Sequence, residues 1–133
     1  MDKMKIILVD DNNSFRAGLK LILINEFNCE VIGEASNAEE LRKLKIYYQA
    51  DIILMDIMMP GTDGIQLTKD LLSDLHYLKI LAITTHVERV YLTSLITAGF
   101  RGCIFKHNLF PCLQEALTTV QNGKMYFPKE LMV

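Results

Sequence analysis

The sequence predicts an α/β domain built on a parallel sheet. Short apolar runs recur along the chain, amphipathic helical patterns fill the gaps between them, and the connections are short. Parallel strands need crossover segments, and these are almost always right-handed and usually helical. At 133 residues the chain is one domain long and can bury a substantial core.

Five runs read as strands: residues 6–10, 30–34, 52–56, 79–84 and 102–106. Unbroken apolar stretches such as Ile6-Ile7-Leu8-Val9 and Ile52-Ile53-Leu54-Met55 suit strands covered on both faces. In the first gap Phe15, Leu19 and Ile22 recur at spacings of four and three, with Ser14 as the expected N-cap. The second gap opens with Asn37 and Glu40 at capping-box spacing, and Leu41 and Leu44 continue its apolar face. Leu67, Leu71 and Leu75 mark a third helix. Val87, Tyr91, Leu95 and Ala98 mark a fourth, which Gly99 can end in a left-handed conformation. The last stripe is Leu109, Leu113, Ala116, Leu117 and Val120, with Pro111 tolerated in the first turn and Gly123 beyond the end. No internal repeat, low-complexity tract or linker precedes residue 122.

Composition narrows the functional classes. The 50% hydrophobic and 23% charged content is ordinary for a soluble globular protein, and no apolar run approaches the roughly 20 residues that span a bilayer. Lys3, Lys5, Asp10 and Asp11 leave no stretch for a signal peptide, so a cytoplasmic location is expected. A net charge of -2 argues against a nucleic-acid reader, and any DNA contact would need another domain. Cys29, Cys103 and Cys112 form no CxxC pair, and an odd count fits free thiols in a reducing compartment. His76, His86 and His107 are too scattered to suggest zinc.

The chemistry concentrates at strand ends. Asp10 and Asp11 follow the first run and Asp56 ends the third. If those strands are adjacent, three carboxylates share the kind of crevice in which open α/β sheets place ligands. Anions that close repel one another unless a cation joins them, which predicts a divalent metal with oxygen ligands. Pro60 and Gly61 would turn the chain sharply away and leave Asp56 at the pocket mouth. The fourth strand ends in Thr84 and Thr85, the fifth in Lys106. Three carboxylates, a hydroxyl and an ammonium suit phosphoryl transfer, with magnesium and Lys106 balancing phosphoryl charge and a threonine donating a hydrogen bond. With no cysteine or serine in a nucleophile motif, a carboxylate is the natural covalent acceptor, giving an aspartyl phosphate.

Each residue also has a plainer reading. An acidic pair after a strand caps helices, a strand-end threonine bonds backbone, and a lone lysine is surface. Their conjunction is what points to a site. Met55, Met58 and Met59 offer soft ligands, but Met55 reads as core, and nearby oxygen ligands suit magnesium better than copper. His86 reads first as an exposed loop histidine and second as a group tuning water access. Cys103 reads as packing against the fourth helix, ahead of redox sensing.

From Ile-Leu-Val-Asp-Asp through Asp-Ile-Met-Met-Pro-Gly-Thr-Asp-Gly to Ala-Gly-Phe-Arg-Gly-Cys-Ile-Phe-Lys, the chain resembles the response-regulator receiver domain over nearly its whole length. The resemblance implies a (βα)5 flavodoxin-like, doubly wound sheet of five parallel strands in the order 2-1-3-4-5. It also implies Asp56 as phosphoacceptor, Asp11 as a direct magnesium ligand, Asp10 as one acting mainly through water, and the Met58 carbonyl as the remaining protein ligand to Mg2+. Thr84 would be the hydroxyl that follows the phosphoryl group and Lys106 its cationic partner. The implied donor is a sensor histidine kinase, and the implied outcome a conformational switch controlling homodimerisation or an output domain.

Val-Ile-Gly-Glu-Ala-Ser-Asn and the Gly-Lys-Met-Tyr-Phe-Pro ending are most similar to NarL/FixJ-type regulators, which carry a C-terminal helix-turn-helix domain. Residues 1–122 would then be the receiver domain. Residues 123–133 would be the end of the last helix or the start of a linker to that DNA-binding domain. Two positions depart from the family pattern: Cys103 stands where a switch aromatic is common, and His107 where proline is. Cys103 keeps a phosphorylation-independent interaction module as the alternative. A flavin-binding electron carrier is disfavoured, because no Ser/Thr/Gly-rich phosphate loop follows the first strand.

Overall fold

The computed structural model describes residues 2–85 and 91–132. Its elements are β1 (Met4–Val9), α1 (Asn13–Phe27), β2 (Cys29–Ala35), α2 (Ala38–Leu44), β3 (Ile52–Asp56), β4 (Met58–Met59), β5 (Thr62–Asp63), α3 (Gly64–Asp74), β6 (Ile80–Thr84), α4 (Leu92–Ala98), β7 (Gly102–Phe105) and α5 (Leu109–Gln121). The five long strands form one sheet in the order β2-β1-β3-β6-β7, each neighbouring pair parallel. These are the five strands expected from sequence, in the expected order 2-1-3-4-5.

Strand periodicity separates two cores. Ile7, Val9, Ile53, Met55, Ile80, Ala82, Cys103 and Phe105 face one side, where they pack with Leu41, Leu67, Leu71, Leu95 and Ala98. Ile6, Leu8, Ile52, Leu54, Leu81, Ile83 and Ile104 face the other, with Leu19, Leu23, Leu113, Leu117 and Val120. Helices therefore cover both faces, which explains why the central strands are apolar without alternation. No helix among the described residues is long and apolar enough to cross a membrane.

Helix ends match the sequence in part. Asn37 Oδ1 accepts from the Glu40 amide at 2.9 Å, while Glu40 Oε1 accepts from the Ser36 amide at 2.6 Å, one residue before the position a capping box would use. Gly99 closes α4 with φ 102°. Ser14, however, is not the cap of α1. Asn12 fills that role, its Oδ1 accepting from the Phe15 amide at 2.9 Å, and Ser14 lies inside the first turn. Val87, expected in the fourth helix, and His86 lie outside the described residues, and α4 starts at Leu92.

Two close approaches shape the functional end. After β3 the chain makes a short hairpin, β4 against β5, with Pro60 and Gly61 at its tip and Gly61 at φ 71°. α3 then begins so near β3 that a Cβ on Gly64 would lie 2.6 Å from Ile57 Cα and 2.7 Å from the Asp56 carbonyl oxygen. At the sheet edge, α5 stops at Gln121 and the chain turns back along β7. The Tyr126 amide donates to the Arg101 carbonyl at 2.9 Å, and the Cys103 amide donates to the Tyr126 carbonyl at 2.9 Å. Gly102 permits this docking, since a Cβ there would sit 2.3 Å from the Tyr126 oxygen.

Candidate functional site

β1 and β3 are neighbours, with Val9 opposite Met55, so Asp10 and Asp56 leave the sheet side by side. The Asp10 amide donates to the Ala35 carbonyl at 3.0 Å, and Asp10 Oδ1 accepts from the Asn12 amide at 2.8 Å. Asp10 and Asp56 are buried, at 4% and 5% exposure, while Asp11 faces solvent. Asp10, Asp11 and Asp56 each contribute a carboxylate oxygen to a group whose atoms lie within 4.8 Å of one another.

The remaining strand ends converge on that group. Thr84 is fully buried and lies opposite Phe105 in the β6–β7 register, directly before Lys106. Thr85, by contrast, is exposed. Lys106 Nζ lies 2.8 Å from Asp10 Oδ2 and 3.4 Å from Asp56 Oδ2. The same ammonium sits 4.2 Å from the centre of the Phe15 ring, a cation–π arrangement that holds it from the α1 side.

Electrostatics separates Asp56 from an ordinary carboxylate. Burial pushes its pKa up, and the neighbouring Asp10 anion adds to that. The Met58 amide, donating to Asp56 Oδ1 at 3.0 Å, and the Lys106 charge oppose the rise without cancelling it. Among the described residues, Lys106 is the cation that pairs with this group of three carboxylates.

The donor set fits a hard divalent cation. All three side chains offer carboxylate oxygens, the ligands magnesium prefers. Asp10 Oδ2 is buried and lacks an aligned hydrogen bond among the described residues, although the Lys106 ammonium lies close. Such an oxygen has a lone pair to offer a metal. Met55 is wholly buried in the core, as its sequence context suggested.

Several residues around this site escape sequence reasoning. Arg16 Nε donates to Glu34 Oε1 at 3.1 Å, and Lys20 Nζ lies 3.0 Å from Glu34 Oε2. Burial opposes ionisation of Glu34, but the two cations outweigh it and hold its carboxyl below the usual range. The i, i+4 spacing of Arg16 and Lys20 is visible in the sequence, yet their shared partner on β2 is revealed only by the packing of α1.

Residues 6–118 match the family model of the response regulator receiver domain, and the chain belongs to that family. The chain is thus a receiver domain of the response-regulator type. The transcriptional regulatory protein DegU of Brevibacillus brevis is 34% identical over 125 residues, covering 94% of this chain and 53% of DegU. The transcriptional regulatory protein LiaR of Bacillus subtilis (strain 168) is 31% identical over 121 residues, covering 91% and 57% respectively. The chain therefore spans little more than half the length of these relatives. Among solved structures, a LuxR-family response regulator from Aurantimonas sp. SI85-9A1 matches with a TM-score of 0.87 at 25% identity, covering 98% of this chain and 94% of that one.

Proposed function

We propose that this chain accepts a phosphoryl group from a sensor histidine kinase onto Asp56, with Mg2+ held by Asp10, Asp11, Asp56 and the Met58 carbonyl. The observation that carries this reading is the gathering of three carboxylate oxygens within 4.8 Å beside the Lys106 ammonium. A carboxylate oxygen of Asp56 attacks phosphorus as the phosphorus–nitrogen bond to the donor imidazole breaks, the bonding pair leaving with the imidazole. Magnesium bound in the cluster would screen the repulsion between the Asp56 carboxylate and the incoming phosphoryl oxygens. Lys106 turns from the aspartates toward one phosphoryl oxygen, and the Thr84 hydroxyl donates to another.

The aspartyl phosphate then biases a two-state equilibrium, because the added anion pairs with Thr84 and Lys106 at the ends of β6 and β7. In this reading residues 1–122 are the cytoplasmic receiver body. Residues 123–133 lead toward a C-terminal helix-turn-helix domain whose dimerisation and DNA binding the switch controls. The transcriptional roles carried in the names of DegU and LiaR support that output.

Intact-mass measurement after incubation with acetyl phosphate or a phosphohistidine donor and Mg2+ tests the reading. Wild type should gain one phosphoryl mass and Asp56→Asn none. An unlabelled wild type, or undiminished labelling of the variant, would sink the proposal.

A further inference from the structure

We propose that Arg16 is a positioning residue for the divalent cation, holding the turn 10–12 so that Asp10 and Asp11 present their carboxylates ready for the metal. The inference rests on reading the acidic cluster as a magnesium site. It adds a residue of α1 that makes no contact with the cation itself.

The geometry is that of a brace. β1 ends at Val9, so Asp10 is the first residue beyond the strand, where the turn toward α1 begins. Three of its groups are nonetheless held: its amide by the Ala35 carbonyl, its Oδ1 by the Asn12 amide, and its carbonyl oxygen by Arg16 Nη1. Of these three, the last is the one made by another residue's side chain, and Lys106 pairs separately with Oδ2. Arg16 is fixed in turn by Asn13 Oδ1 at 2.8 Å from Nη2, Glu34 Oε1 at 3.1 Å from Nε and Ser36 Oγ at 3.4 Å from Nη1. Its side chain is only 14% exposed. A planar guanidinium with several donors can tie α1, the end of β2 and the Asp10 carbonyl together at once. A lysine ammonium at that position cannot reproduce the fork.

Charge and geometry make opposite forecasts for removing Arg16. Arg16 is a cation behind a cation site, so by Coulomb's law alone its loss would tighten metal binding. If the brace matters more, its loss weakens binding, because ligands that must be ordered on binding hold a metal less well than ligands already in place. Arg16→Lys keeps the charge and loses the fork, so it isolates the geometric part.

The test is an NMR chemical-shift titration of the full chain with Mg2+, at a temperature where melting curves show each variant folded. Wild type, Arg16→Met, Arg16→Lys and the core variant Leu113→Ala are compared, the last reporting the effect of lowered stability alone. We expect the Mg2+ dissociation constant to rise about 10-fold in Arg16→Met. A several-fold rise is expected in Arg16→Lys and none in Leu113→Ala. Unchanged or tighter binding in Arg16→Met overturns the inference, as does an equal weakening in Leu113→Ala. If Arg16→Met fails to fold, wild-type affinity in Arg16→Lys overturns it just as well. A wild type that binds no Mg2+ removes the underlying reading too. Wild-type binding with indifferent Arg16 variants removes this inference alone.

Discussion

Asp56 at the end of β3 and Glu34 near the end of β2 are both carboxylates drawn partly out of water, yet their environments shift them in opposite directions. At Asp56 burial wins, the Asp10 anion adds to it, and the Lys106 ammonium is shared with Asp10. Around Glu34 burial also opposes charge, but Arg16 and Lys20 more than compensate. Two paired cations keep Glu34 charged within the scaffold, whereas at Asp56 burial leaves a net shift against ionisation. Both lie toward the carboxyl ends of parallel strands, so the difference separates a scaffold carboxylate from a candidate site carboxylate within one end of the sheet.

The largest stability effect specific to this contrast is expected at Asp56. Its folded pKa is raised, so the unfolded chain ionises first as pH increases, and ionisation favours unfolding. The penalty is absent below the ordinary aspartate range near pH ~4 and grows as pH rises through the folded value. Asp56→Asn should therefore melt at a higher temperature than wild type at pH 7 without divalent cations. Melting curves from pH 3 to 8 should show the gain shrinking toward acid. A gain independent of pH would mean that charge at Asp56 is not its source.

An intermediate effect is expected at the start of α1, where the turn behind the acidic pair is capped. Asn12→Ala should cost about 1 kcal/mol in urea unfolding, and Ser14→Ala no more than a few tenths. A reversal of that order would restore Ser14 as the cap.

The smallest effect belongs to Glu34. Its pKa is lowered, so its contribution is present above the ordinary glutamate range and lost as pH falls through the folded value. Because the pair is about a third exposed, Glu34→Gln should cost only about 0.2–1 kcal/mol at pH 7, and less at pH 3. A loss at pH 3 as large as at pH 7 would place the role of Glu34 in packing. Together the Asp56 and Glu34 variants should give pH–stability differences of opposite sign.

What was legible in the sequence follows from how local each signal is. An apolar run ending in an acid, such as Ile52-Ile53-Leu54-Met55-Asp56, carries both strand and site in five residues, and parallel pairing brings such ends together. The choice between Asn12 and Ser14 was not legible in the same way, because either side chain can cap a helix and the two lie within one turn. β4 and β5 have two residues each, too short for any periodicity. The Arg16–Glu34 brace joins residues 18 apart through the packing of α1 on β2, and the docking of Tyr126 on β7 depends on how closely backbone can approach at Gly102. Contacts of that kind exist only once the sheet is assembled.

The most direct test of phosphoryl acceptance at this acid cluster is to map where the phosphoryl group goes. Wild-type protein treated with acetyl phosphate, with Mg2+ or with excess EDTA, is digested and the adduct assigned to a peptide by mass spectrometry. The adduct is expected on Asp56, with labelling strongly reduced by EDTA. Labelling elsewhere in the chain, or equal labelling of Asp56 with and without the metal, would contradict it.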